Sequence, residues 1–295
     1  MKGRAILIGA SGAIGTATLN AARLAGLDVV PTFHSRMIQC GVPFSIETDS
    51  LESLGVGEQD SVIIFAANSD SEWVRANATA AREINITATT RLAVQALRLR
   101  AHLVFMSSEA VFGSSRQIGW TEECKPSPCT EYGRQKYEME EILTDLGGSC
   151  IVRTGWNVSA RPADRCVVKA IYTSLLKGGA RLASDNIFSL TDVSDTARLL
   201  LKVVQQRAVG TVHSVSGFPV SRTIVADEII QVSKMIKDAR YEKIRHSDIY
   251  FKEPKPASAW LAASGAINSL VPIFATPKEI VSKKVAILEG ESNWV

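Results

Sequence analysis

Short apolar runs alternate with amphipathic stretches through the first half of the chain. The run "AILIG" at residues 5–9 predicts a strand, and "AIGTATLNAARLAG" repeats apolar residues at helical spacing before closing on Gly26, a residue suited to a helix C-cap. "DVVPTF" predicts a second strand, irregular at Pro31. "SVIIFAAN" at 61–68 is apolar without alternation, as expected of a strand covered on both faces. A helical pattern follows over about 77–100, then a strand at "HLVFMSS" (102–108), a helix over 129–146 and a strand at "CIVRTG" (150–155). Repeated β-α units of this kind predict an α/β fold, a doubly wound parallel Rossmann sheet with right-handed crossovers.

After Gly155 the periodicity loosens. "GTVHSVSG" predicts one more strand and "SRTIVADEIIQVSKMI" a helix opened by Ser221. Pro254, Pro256, Pro272 and Pro277 punctuate the stretch from about 237 to 277, which suits a smaller lobe shaping a substrate cleft. The expected division is a dinucleotide-binding domain over 1–155 and, over 156–295, a mainly substrate-binding lobe, interleaved because about 185–217 returns to the first domain. The most apolar segment, "WLAASGAINSLVPIFA", is interrupted by Gly265, Asn268 and Pro272, so it reads as buried helix and loop and no membrane partner is expected. At the N-terminus a strand entering a glycine loop explains the apolar run better than an export signal does.

Composition narrows the classes further. The 295 residues are 46% apolar and 21% charged, with a net charge of +3. That balance is ordinary for a soluble protein and too weakly basic to point to nucleic acid. The five cysteines are odd in number and form no CxxC pair, which fits reduced thiols in a cytoplasmic protein. The four histidines are scattered without ligand spacing, so no metal is expected.

Gly9, Gly12 and Gly15 stand between the first strand and the first helix. The first permits a sharp turn, the second a close backbone approach to a pyrophosphate, the third close helix–strand packing, and the helix N-terminus offers free N–H groups. At the end of the second strand, Phe33-His34-Ser35-Arg36 lacks the acid that usually reads the ribose of NAD, since Asp28 precedes the strand. Ser35 and Arg36 suit a 2′-phosphate, so NADP(H) is the expected cofactor, although Arg36 also fits as a solvated loop residue. Asp49 is a candidate for the adenine amine, with turn capping as its other reading.

"TEYGRQKYEME" holds two tyrosines. On a helix, Lys136 falls on the same face as Tyr132, one turn on, whereas Tyr137 shares its face with Glu141. A phenol needs its pKa lowered by roughly 3 units to exchange protons near neutrality, and a nearby ammonium in a partly dry cleft is a source of that shift. Upstream, Ser107 and Ser108 end a parallel strand, where open α/β sheets place their sites. They point to opposite faces, so one of them can meet a given cleft.

These features together resemble the extended short-chain dehydrogenase/reductases, and within them the dTDP-4-dehydrorhamnose reductase branch. The resemblance runs nearly end to end: "GASGAIG", "AAN" at 66–68, Asn85, "SSEAVF", Tyr132-Gly-Arg-Gln-Lys136, "VRTGW", "DVSDTARLL", "GTVHSVSG" and "SRTIVADEII". It implies Ser108 as donor to the substrate carbonyl, Tyr132 as general acid, and Lys136 holding the nicotinamide ribose while lowering the tyrosine pKa. It implies a cofactor contact surface of Gly9, Ser11, Gly12, Ala13, Ile14, Gly15, Ala66, Ala67, Asn68 and Asn85. Ser108-Glu109-Ala110 departs from the Thr-Asp-Tyr usual in that branch, and Lys255-Pro256 stands where an Arg-Pro is usual. The related 4,6-dehydratases carry Thr-Asp-Glu, and Ala110 cannot replace that second acid. Glu109, Trp156 and Asn157 are candidates for the substrate, with Gly155 letting the backbone approach the nicotinamide; Asn157 as a turn residue and Glu109 as a solvated loop acid are the other readings.

The expected activity is therefore NADP(H)-dependent reduction of a keto group on a small molecule, a 4-keto-6-deoxy nucleotide sugar by resemblance. An NAD-dependent epimerase and a non-catalytic, NADP-binding regulatory subunit are the alternatives, and a homodimer is compatible with all three.

Overall fold

The computed structural model describes residues 3–113, 119–262 and 274–290. The first half contains β1 (Ala5–Ile8), α1 (Ala13–Leu24), β2 (Val29–Phe33), β3 (Val42–Pro43), β4 (Ser61–Ile64), α2 (Ser71–Ala76), α3 (Ala78–Arg82), α4 (Thr89–Arg98), β5 (His102–Ser108), α5 (Glu131–Leu146) and β6 (Ser149–Thr154). The second half adds β7 (Trp156–Val158), α6 (Val167–Lys177), β8 (Ala180–Ala183), β9 (Ile187–Asp192), α7 (Val193–Gln206), β10 (Gly210–Ser214), β11 (Pro219–Ser221), α8 (Arg222–Val232), β12 (Tyr241–Ile244), β13 (Ser258–Ala259) and α9 (Pro277–Leu288).

Seven strands form the main sheet in the order β10-β6-β5-β4-β1-β2-β3, and every neighbouring pair is parallel. The unalternating apolar strands follow from burial on both faces. Ile6, Ile8, Val62 and Ile64 pack with Leu92 of α4 and Met139 and Leu143 of α5. Ala5, Leu7, Ile63 and Val104 pack with Leu19 of α1 and Leu199, Leu200 and Val203 of α7. Pro31 lies outside the two residues of β2 that pair with β3. From β1 the chain runs to β2 and β3 on one side, then crosses back to β4 on the other. The C-terminal ends of β1 and β4 therefore open at the switch point where such sheets bind ligands.

The helix expected over about 77–100 runs through α3, a π-helical turn at Glu83–Ala88 and α4. That turn carries Asn85, and such turns recur at functional sites.

In the second lobe, β9 pairs parallel with β7 and β13 and antiparallel with β11, while β8 pairs with β12. Its core joins Val168, Ile171 and Leu175 of α6, Val225 and Ile229 of α8, and Ile280, Val281 and Val285 of α9. The chain returns to the main sheet through α7 and β10, at residue 193 rather than about 185. β9, inside the expected span, belongs to the smaller sheet instead, because its partners β7, β11 and β13 all lie there. Of the run expected as buried helix and loop, residues 263–273 lie outside the described residues. No helix among the described residues is long and apolar enough to cross a membrane.

Candidate active site

A cavity of about 300 Å³ opens between the C-terminal ends of the main sheet and the second lobe. Ser108, Glu109, Ala110, Thr130 and Tyr132 line one wall, and Trp156, Asn186, Phe188, Arg222, His246, Phe251 and Lys255 the other.

The first wall is set by how α5 meets the end of β5. Thr130 caps the helix, its hydroxyl accepting from the Gly133 N–H at 3.1 Å. The Glu131 N–H donates to Glu253 Oε1 of the second lobe at 2.6 Å. A Cβ on Gly133 would collide with the Ala110 carbonyl oxygen. The glycine lets the helix lie close enough for the Tyr132 phenol and the Ser108 side chain to share the cavity wall, where Ser108 acts on the phenol. Ser107 faces the other way, buried, and donates to Glu140 Oε1 at 2.5 Å. Of the two serines, Ser108 is the one that meets the cavity. Tyr137 is instead under the influence of Glu141, which raises its pKa, as the spacing predicts.

Lys136 is 5% exposed and donates to the Met106 carbonyl at 2.8 Å, with its ammonium 4.4 Å from the Phe105 ring centroid and 6.0 Å from that of Tyr132. Burial pulls the Lys136 pKa down to about 8 against the opposing charge of Glu140. The Tyr132 pKa is not lowered as expected. Burial pushes it up to about 12, and the Ser108 side chain only partly offsets this. The phenol is therefore a fully protonated group at neutral pH.

Beneath this wall Glu140 forms a buried ion pair with Arg153 of β6 at 2.7 Å, and the same guanidinium lies 3.3 Å from His213 Nε2 on β10. Three elements meet there, so sequence spacing gives no sign of the network.

Glu109 is buried, which holds its carboxyl well above the usual range, opposed by the hydrogen bond from the Ser189 N–H at 3.3 Å and by the Trp156 side chain. Glu109 and Trp156 both reach the cavity, but Asn157 is not among its lining residues. Its Oδ1 accepts from Thr154 Oγ1 at 3.0 Å and its Nδ2 donates to the Gly155 carbonyl at 3.1 Å, so its amide is committed to a local turn. Gly155 also serves packing: a Cβ there would sit 2.5 Å from the Ser189 carbonyl oxygen of β9.

The opposite wall is basic and aromatic. The half-buried Arg222 lies 5.1 Å from the Trp156 ring and donates to Asn186 Oδ1 at 2.9 Å. No carboxylate among the described residues pairs with it, and burial lowers its pKa. Lys255 lies 3.6 Å from Glu72 and 5.5 Å from the Phe251 ring, on which His246 stacks at 4.9 Å. One signal in the sequence marks Arg222: a cation in the first turn of a helix opposes the helix dipole. His246 opens a single 3-10 turn, His246–Asp248, and Phe251 lies in irregular chain; neither offers such a sign.

A groove of about 530 Å³ leads along the switch point, lined by Gly9, Ser11, Gly12, Ser35, Ala66, Ala67 and Asn68, with His34, Ser45, Glu47, Asp70 and Arg165 among the residues the sequence does not single out. Gly9 has φ +84°, and a Cβ on Gly15 would lie 2.7 Å from the Ala10 Cα, so the first and third glycines shape the turn and the packing. A Cβ on Gly12 would have only the Gly9 carbonyl oxygen near it, at 3.6 Å, which leaves open space for a ligand. Ala13 and Ile14 open α1 and, like Gly15, are not among the groove's lining residues; the first turn they begin has no side-chain cap and no acid.

Asn85 is buried and works from behind. Its Oδ1 accepts from the Asn68 N–H at 2.8 Å, and its Nδ2 donates to the Asn68 carbonyl at 3.1 Å and to Gln135 Oε1 at 2.9 Å, clamping the groove to α5. Arg36 is exposed, outside the groove lining. Asp49 is also absent from the lining, because its carboxylate accepts from the Ser45 N–H at 2.8 Å and closes the turn.

The family described as RmlD substrate binding domain matches residues 3–275. The chain belongs to this family. Among its relatives, a dTDP-4-dehydrorhamnose reductase of Mycobacterium tuberculosis is 25% identical over 92% of this chain and 88% of its own. The solved dTDP-4-dehydrorhamnose reductase of Clostridium acetobutylicum superposes with a TM-score of 0.84 at 22% identity, covering 97% of this chain and 99% of that one. The Bacillus anthracis enzyme of the same name, solved in complex with NADP, gives 0.81 at 22% identity, covering 96% and 98%. The Rossmann-type sheet and its flanking helices are thus those of extended short-chain dehydrogenase/reductases. The cavity wall that holds Ser108 and Tyr132 coincides with the motifs "SSEAVF" and Tyr132-Gly-Arg-Gln-Lys136, whereas the side chains of Asn157 and Asp49 make their bonds within local turns.

Proposed function

We propose that this protein is an NADP(H)-dependent oxidoreductase that reduces the keto group of a nucleotide sugar, with Tyr132 as the proton donor. The observation that carries the reading is that Ser108 and Tyr132 share one wall of a cavity whose far wall holds Arg222, a cation with no carboxylate partner among the described residues. A substrate with a carbonyl at one end and a diphosphate at the other fits both walls.

The free N–H groups of α1 and the space above Gly12 suit a pyrophosphate. Ser35, with Arg36 beside it and no carboxylate at the end of β2, suits a 2′-phosphate. Bound there, the dinucleotide would supply the hydride. The remaining work falls to the protein. Ser108 orients and polarises the carbonyl oxygen, and Tyr132, protonated at neutral pH, transfers its proton to that oxygen as negative charge develops. Lys136, charged below about pH 8, favours the phenolate that remains. Glu109 and Trp156 are placed to contact the sugar, and Phe251 with His246 offers a stacking face.

The test is NADPH oxidation followed by absorbance with a dTDP-4-keto-6-deoxy sugar, a keto sugar lacking the nucleotide, and a simple ketone. Preferential turnover of the first, abolished in Tyr132→Phe, supports the reading. Turnover of none, with intact protein, removes it.

A further inference from the structure

The loop between β7 and α6, residues 159–166, belongs to the second lobe yet reaches the groove of the first. It is held from behind. Lys284 of α9 is 1% exposed and donates to the carbonyls of Ser159 at 3.0 Å and Arg161 at 2.7 Å. Within the loop Arg161 grips Asp164 through two bonds, at 2.9 and 2.6 Å, and the Ser159 hydroxyl donates to the same carboxylate at 2.7 Å. Arg161 also extends to α1, where it donates to Thr16 Oγ1 at 3.2 Å. Four residues later, Arg165 joins Gly9, Ser11, Gly12 and Asn68 in the groove wall. Its guanidinium lies 3.3 Å from Asp70 Oδ2, across an exposed contact of the kind that contributes little.

The charge balance of the groove gives this placement a purpose. A pyrophosphate is an anion, and a helix N-terminus offers only about half a positive charge. The groove wall includes the carboxylates of Glu47 and Asp70, and Arg165 is the one lysine or arginine that lines it among the described residues.

We infer that Arg165 binds the pyrophosphate of the dinucleotide, exchanging Asp70 for a phosphate oxygen, and that Arg161 is the positioning residue that docks its loop on α1. The second lobe then takes part in cofactor binding as well as substrate binding. This rests on the dinucleotide reading of the groove given above. Asp70 and a phosphate would compete for the same guanidinium, so the two residues are coupled.

The experiment is titration of NADPH and NADH into the full chain and into Arg165→Ala, Arg165→Lys, Asp70→Asn and the Asp70→Asn/Arg165→Ala double variant. Asparagine keeps the cap that Asp70 provides to the Trp73 N–H. Arg165→Ala is expected to weaken both dinucleotides by about 10-fold, and Arg165→Lys by much less. Asp70→Asn is expected to tighten both, by a factor that shrinks when Arg165 is absent, which a double-mutant cycle reads directly. If the wild type binds and Arg165→Ala stays within twofold of it, the inference is overturned while the cofactor reading stands. A loss confined to NADPH would overturn the pyrophosphate assignment. A wild type that binds neither dinucleotide would take the cofactor reading and this inference together.

Discussion

On the sheet side of the cavity, Ser108 and Tyr132 stand at the end of β5 and the start of α5 and bring hydroxyl groups with no net charge. On the side of the second lobe, Arg222 and Lys255 bring cations and Trp156, Phe251 and His246 bring rings. The first wall is built on regular elements and fixed by backbone fit, as at Gly133 and the Thr130 cap. The second is assembled from a strand end, a helix N-terminus and irregular chain. Chemistry that must act on one atom suits the rigid wall, whereas recognition of a long, charged substrate suits the wall that can vary with it.

The largest effect should come from the chemical wall. Tyr132→Phe is expected to lower turnover by about 10²- to 10⁴-fold, the usual worth of a general acid, with cofactor affinity unchanged. The matched Tyr137→Phe should stay within twofold of wild type in the same assay. A dead Tyr137 variant beside an active Tyr132 variant would reverse the assignment.

A pH profile sharpens the same wall. Tyr132 stays protonated throughout the ordinary range, its pKa being raised to about 12, while Lys136 loses its charge as pH rises through about 8. Reductive turnover is expected to be level from about pH 6 to 7.5 and to fall by about tenfold per unit above pH 8. Turnover that rises steadily to pH 10 would mean that the lysine charge is not needed.

Gly133→Ala tests the backbone fit. The added methyl group would drive α5 from the Ala110 carbonyl, at a cost of about 1–3 kcal/mol in thermal or denaturant unfolding, with turnover reduced beyond what the stability loss explains. Unchanged stability would mean that the helix has room to shift.

What the sequence reveals follows the same division. The doubly wound sheet, the three glycines and the shared helix face of Tyr132 and Lys136 are legible because each depends on local period or fixed spacing, whereas the choice of Ser108 over Ser107 rests on the family resemblance. The direction of the Tyr132 pKa was not legible, because depth of burial is a property of the assembled cleft. Asp49 and Asn157 have the right chemistry in the right region, and each makes its side-chain bonds within a turn of its own, the other reading that the sequence offers for both. Arg222, His246 and Phe251 come from separate segments brought together only by the second lobe. Of these, the cation at the start of α8 was the one readable sign.

The division of labour between the walls is tested most directly by Arg222→Ala, assayed for kcat/KM on a dTDP-4-keto-6-deoxy sugar and on a keto sugar lacking the nucleotide. The variant is expected to lose about 10- to 100-fold on the nucleotide sugar, the worth of a charged hydrogen bond, and to match wild type on the bare sugar. Equal losses on both substrates, or none on either, would contradict it.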